Sequence, residues 1–182
     1  MYIAAQIIGI VAMGTNIISY QFKSRKMLLF FQFLGSALFA VNMFMLDATM
    51  GGILNILGVA RALTYINKDK IKIPLIYVNS AFVLAYVSCY VLLFTVFGTK
   101  PTAINMISEI LPVLGMSIMT FALAGDDAKK IRLCGFINSP CWLIYNCFNF
   151  AIGGILCEAF SLISITSAFI RIDIMGKKEQ TV

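Results

Sequence analysis

Lys23-Ser24-Arg25-Lys26 is followed by MLLFFQFLGSALFAVNMFML (residues 27–46), twenty residues without a charge, and then by Asp47. About 20 apolar residues in helical conformation cross the hydrocarbon core of a bilayer, and a basic cluster at one end marks the cytoplasmic side. The same reading applies upstream and downstream. Apolar runs separated by charges, glycines or prolines divide the chain into seven spans at about 3–21, 27–46, 51–66, 74–97, 103–124, 131–149 and 153–173. Pro74 falls in a first helical turn, where a missing N–H costs nothing, and Gly153-Gly154 is read as the break that opens the seventh span.

The composition agrees with a membrane solvent. Of the 182 residues 60% are hydrophobic and 12% charged, against roughly 45–50% and 25% in soluble domains. Seven spans leave room only for short loops and a tail, so the chain reads as one membrane domain with no soluble catalytic unit. His is absent, which removes the commonest general base and metal ligand; no nucleophile has an evident base beside it, and neither an enzyme nor a cofactor is expected. The net charge of +6 reports topology rather than nucleic-acid binding, since no basic stripe interleaves with aromatics in a polar segment. Cys89, Cys134, Cys141, Cys147 and Cys157 lie inside apolar runs and read as packing residues. The first charge is Lys23, so the opening run is expected to be a retained helix and not a cleaved signal.

Charge placement sets the orientation. Lys23, Arg25 and Lys26 lie in the first loop, Lys68, Lys70 and Lys72 in the third, Lys129, Lys130 and Arg132 in the fifth, and Arg171, Lys177 and Lys178 at the end, while the opposite face holds Lys100. An N-terminus outside and a cytoplasmic C-terminus follow. Shifting the first three spans by 103 residues superposes them on the last three, pairing Lys26 with Lys129, Ser36 with Ser139, Phe39 with Trp142, Gly51 with Gly154 and Asn55 with Glu158. The expected architecture is therefore all-α, seven transmembrane helices in a 3+1+3 plan: a repeat at 1–66, a linker helix at 74–97, a second, parallel repeat at 103–173 and a cytoplasmic tail at 174–182.

Polar residues within spans are the candidate site. Glu158 leads, because a carboxylate in a span costs at least about 2.5–3.5 kcal/mol on insertion scales and normally faces a bundle interior or a wet cavity. Gly51, Asn55, Gly58 and Ala62 form one stripe, with Gly154, Glu158, Ser161 and Ile165 as its copy; the small residues read as packing faces. Trp142, Tyr145, Asn146 and Asn149 share a face, with Tyr145 explained by an interfacial aromatic belt, and Asn42 contributes from the first repeat. Glu109 is either a partly solvated helix-start carboxylate or a pocket residue. Arg61 lies near the cytoplasmic end of its span, where snorkelling explains it better than an inward partner. Pro112 and Pro140 fall inside spans. Asp126, Asp127, Lys129 and Lys130 read as a solvated loop.

Glu109-Ile110-Leu111-Pro112-Val113-Leu114-Gly115, Cys141-Trp142-Leu143-Ile144-Tyr145-Asn146, Gly153-Gly154, Glu158 and Ile170-Arg171, with Leu54-Asn55 and Arg61 in the first half, resemble the YgjV family of bacterial inner membrane proteins. That resemblance implies a multi-pass protein of the bacterial cytoplasmic membrane. Relatives can carry His where this chain has Tyr145, so no His-based proton relay is general to it. The family is distantly similar to SWEET and PQ-loop transporters, which would place a solute between an Asn pair and a Trp pair. Asn55 and Trp142 match; Glu158 and Phe39 replace the partners, which turns the expectation from sugar toward a cationic or polar solute, or toward proton coupling. The reading is a small-solute transporter rocking about Asn42, Asn55, Trp142, Asn146 and Glu158, with Phe39, Arg61, Glu109 and Tyr145 secondary. Its partners are a small polar solute and the lipid bilayer, with homo-oligomers as SWEET-like bundles often form. The alternative is a non-transporting binding or interaction protein on the same scaffold.

Overall fold

The computed structural model describes residues 2–125 and 127–171, apart from the side chains of Arg25 and Ala128. Seven α-helices follow in order: α1 Tyr2–Gln21, α2 Arg25–Met45, α3 Thr49–Ile66, α4 Leu75–Thr95, α5 Ala103–Ala124, α6 Ala128–Phe148 and α7 Ile152–Ala168, with a 3-10 turn at Lys68–Lys70. All regular elements among the described residues are helical. Six of the helices are long and apolar enough to cross a membrane; α6 is the exception, its mean hydropathy lowered by Arg132 and by Asn138, Ser139, Pro140 and Asn146. Asp126 and the tail from residue 172 lie outside the described residues.

The largest difference from the apolar pattern among the helix starts comes where a polar cap extends one of them. The α6 helix begins at 128 and not 131 because the Asp127 carboxylate accepts from the Lys129 N–H at 2.9 Å, satisfying an end-of-helix donor. The Thr102 hydroxyl does the same for Asn105 N at the start of α5. The break before α7 is not at Gly153-Gly154: the chain turns at Phe150, with φ +49°, and both glycines are already inside the helix. Their lack of a Cβ serves packing instead. A Cβ on Gly153 would meet the Cα and carbonyl carbon of Gly9 at 2.8 Å, so here the α1 and α7 backbones touch. An equivalent turn precedes α3, where Asp47 has φ +59°. Asp47 and Phe150 are 103 residues apart, as are the first residues of α2 and α6 and of α3 and α7.

Helix packing closes a ring. In order around it, α1 packs on α2, α2 on α3, α3 on α5, α5 on α6, α6 on α7, and α7 back on α1; α4 lies outside, against α5 and α3. Gln6 near the start of α1 accepts from Gly153 N at 3.3 Å, and Gln21 at its end accepts from the Arg171 guanidinium at 3.0 Å. Helices α1 and α7 therefore run parallel. Large apolar side chains cover the outside of the bundle, among them Ile3, Leu84, Val96, Ile107 and Ile163, all well over half exposed. Such a surface is stable against lipid and not against water. Inside, two apolar clusters divide the bundle: one around Met43, Leu54, Val113, Trp142 and Tyr145, the other around Tyr20, Leu28, Tyr65, Leu123 and Ile165.

Candidate functional site

Between these clusters lies a partly open cavity of about 60 Å³. Every helix of the ring contributes to its wall and α4 does not: Asn16 and Tyr20 come from α1, Gln32, Ser36, Phe39 and Met43 from α2, Asn55 and Arg61 from α3, Met116 and Met119 from α5, Asn138, Trp142 and Asn146 from α6, and Glu158 and Ser161 from α7. Helical periodicity explains these sets. Positions 32, 36, 39 and 43 step by four, three and four along α2, and 138, 142 and 146 step by four along α6, so each set forms one stripe.

Of the residues singled out from the sequence, Asn55, Trp142, Asn146 and Glu158 line this cavity, together with Phe39 and Arg61. Asn42 does not: its amide is fully buried and donates to the Ala5 carbonyl at 2.7 Å, bridging α2 to α1. Tyr145 is no interfacial residue. Its side chain is fully buried, edge-on to Trp142, and its hydroxyl accepts from the Gly51 N–H at 2.9 Å. Gly51 belongs to the first turn of α3, whose N–H groups have no partner within the helix, so Tyr145 caps α3 from a neighbouring helix. Asn149 closes the end of α6 by donating to the Tyr145 carbonyl at 3.0 Å. Glu109 is half-buried near Tyr145, with one carboxylate oxygen buried and unpartnered, and stands outside the cavity wall.

Arg61 departs furthest from expectation. It does not snorkel: the side chain is 6% exposed and turns inward, where one guanidinium nitrogen donates to the Met116 carbonyl at 3.1 Å and to the Thr120 hydroxyl at 3.3 Å. Thr120 in turn donates to the Met116 carbonyl and shares a hydrogen bond with the Tyr86 hydroxyl at 3.1 Å. A buried carbonyl and hydroxyl thus hold the charge where the alternative was a longer reach to water. The Nε of Arg61 keeps no partner.

Other polar atoms of the wall are also unpartnered. Asn138 and Asn146 each bury a side-chain oxygen without a hydrogen bond, a state that costs about 1–3 kcal/mol per group unless water or a solute completes it. Both amides are pinned against glycines of adjacent helices: a Cβ on Gly154 would meet Asn146 at 2.6 Å, and one on Gly115 would meet Asn138 at 2.9 Å. Asn16 is held in the same way over Gly35, and Ser36 over Gly58. Asn55 spends its amide N–H on its own helix, donating to the Gly51 carbonyl at 2.8 Å. Ser139, behind the wall, buries its hydroxyl without a hydrogen-bond partner. Among the described residues no three carboxylates or thiols converge on a metal position. The wall therefore offers hydrogen bonds, one guanidinium, one carboxylate and aromatic faces.

A family model covers nearly the whole of this bundle: the chain matches the Imp-YgjV model, described as a bacterial inner membrane protein, over residues 3–175. The chain belongs to the Imp-YgjV family. The apolar exterior and the six spanning-grade helices are those of a multi-pass protein of the bacterial inner membrane. No curated protein and no solved structure matches this Imp-YgjV chain. Sequence reasoning had passed over Asn16, Tyr20, Gln32 and Asn138 in the wall; the four-residue spacings of Asn16 with Tyr20 and of Asn138 with Trp142 and Asn146 were the available signal.

Proposed function

We propose that this protein moves a small polar solute across the inner membrane, with α1–α3 and α5–α7 rocking as two triple-helix bundles about the central cavity. The observation that carries the reading is the polar cavity itself, walled by all six ring helices and holding Arg61, Glu158 and unpartnered amide oxygens. A bundle selected only for stability fills such a space with packed apolar side chains. Charges inside a membrane bundle are ordinarily retained for a solute or ion path.

A 3+1+3 parallel repeat fits the same observations. The shared offset of α2 and α6, of α3 and α7 and of the Asp47 and Phe150 turns supports it. So do four pairs at that offset in which both members face the cavity: Asn16 with Met119, Phe39 with Trp142, Met43 with Asn146 and Asn55 with Glu158. The α1·α7 and α5·α3 interfaces then correspond, and a two-fold axis along the membrane normal passes through the cavity, the arrangement in which rocking exposes a central site to alternate sides. The basic loops put the N-terminus outside.

The test is uptake by proteoliposomes holding the purified protein, offered radiolabelled sugars, nucleosides, amino acids, vitamins and polyamines. Saturable uptake of one class, lost in Glu158→Gln, is expected. The second reading, a non-transporting membrane interaction protein, is favoured by the hydrogen bonds of Arg61 and Tyr145, which tie helices together. It predicts no uptake of any class, and a Glu158→Gln variant that unfolds early whether or not a solute is present.

A further inference from the structure

We infer that the solute of the central cavity is a zwitterion, its anionic end on Arg61 and its ammonium end on Glu158; this rests on the transporter reading above. Both charged groups face the same cavity, and among the described residues neither is in an ion pair. Arg61 has an unpartnered Nε, and Glu158 lines the cavity from the opposite helix. The guanidinium thus keeps hydrogen-bonding capacity for something not supplied by the protein, and the Glu158 carboxylate faces the same space.

Their placement keeps them from neutralising each other. Helix α3 packs between α2 and α5, and α7 between α6 and α1, so the two helices stand across the ring from one another. Arg61 is twelve residues past the start of α3 and Glu158 six past the start of α7. At about 1.5 Å per residue, Arg61 lies about 18 Å along α3 from its first residue and Glu158 about 9 Å along α7 from its own. The hydrogen bonds to Met116 and Thr120 hold the guanidinium on the α5 side.

Charge balance then selects the ligand. A lone cation on Glu158 leaves Arg61 uncompensated in a low-dielectric cavity, and a lone anion on Arg61 leaves Glu158 so. A neutral sugar leaves both. A molecule carrying one charge of each sign satisfies both groups and adds no net charge. The aromatic faces of Phe39, Trp142 and Tyr20 in the wall suit the aliphatic stem and the ammonium of such a molecule.

Thermal unfolding of the purified protein in detergent tests this with probes that differ in charge. 4-Aminobutanoate and 6-aminohexanoate are the zwitterions, butylamine and butanoate the single charges, and glucose the neutral control. At least one zwitterion raises the Tm, while butylamine, butanoate and glucose at the same concentration leave it in place. In Glu158→Gln the zwitterion binds at least about tenfold more weakly, the loss expected for one charge-assisted hydrogen bond. Arg61→Lys tests the other end while keeping its charge, and the probe comparison in the parent decides the matter even where a variant fails to fold. Equal or greater stabilisation by butylamine overturns the zwitterion in favour of a cation. Stabilisation by glucose alone overturns it while leaving the cavity a solute site. If none of the probes shifts the Tm the zwitterion falls, and silence in the uptake panel as well takes the transporter reading with it.

Discussion

The Tyr145 hydroxyl on α6 accepts a hydrogen bond from the Gly51 backbone N–H at 2.9 Å, so the first turn of α3 is capped by a side chain 94 residues away. The residue at the N-cap of α3, Ala48, has no side chain able to do this. Tyr145→Phe keeps the ring against Trp142 and removes only the acceptor, leaving a buried N–H unpaired. A loss of about 1–3 kcal/mol in stability is expected, measured by thermal or denaturant unfolding in detergent. Unchanged stability would mean that water reaches the start of α3.

Gly153→Ala places a methyl group 2.8 Å from the Gly9 backbone, where nothing flexible can yield. Overpacking of that kind costs about 1–3 kcal/mol. Gly14→Ala in α1 is the control, because a Cβ there meets nothing within 4 Å and a helix interior gains by the change. The account expects the first variant to unfold earlier than the parent and the second no earlier. Equal behaviour of the two would remove the close α1–α7 contact from the account.

Arg61→Gln and Thr120→Val, alone and together, form a double-mutant cycle on the inward hydrogen bond from Arg61 to Thr120. Groups in direct contact couple by about 0.5–3 kcal/mol. A snorkelling arginine would give additive losses, and additivity would return Arg61 to the membrane surface.

The proposed sidedness rests on the basic loops. A cysteine at Lys100 is expected to react with a membrane-impermeant maleimide on intact cells, and one at Lys68 only after the inner membrane is opened. The opposite pattern would invert the bundle, and labelling of both from outside would end the assignment of α4 as a spanning linker.

Six of the seven helices were legible because a bilayer demands long apolar runs, and in those six the runs are there. Their ends were less so. Gly153-Gly154 carried the signature of a break, but a glycine signals close packing as readily as a turn, and only the partner, here Gly9 and Asn146, tells the two apart. The cavity residues show the same limit. Asn42 and Met43 are neighbours in sequence yet point about 100° apart around α2, so Met43 faces the cavity while Asn42 bonds to α1. Tyr145 and Asn146 divide likewise on α6. Residue type identified Glu158 because carboxylates within a span are few, and Trp142 because it is the single tryptophan. The inward turn of Arg61 depends on the Met116 carbonyl and on Thr120, more than fifty residues away, and no local pattern announces it.

The central claim is that the cavity binds a solute, and the chain carries its own reporter, since its single tryptophan is Trp142 in the cavity wall. Titrating the detergent-purified protein with the panel of sugars, nucleosides, amino acids, vitamins and polyamines while following tryptophan fluorescence reads occupancy directly. The account predicts a saturable change with one chemical class, weakened at least about tenfold in Glu158→Gln. Fluorescence that responds to no class, in a protein that is folded and whose Glu158→Gln variant loses only stability, would contradict it and leave a bundle whose polar residues bridge helices.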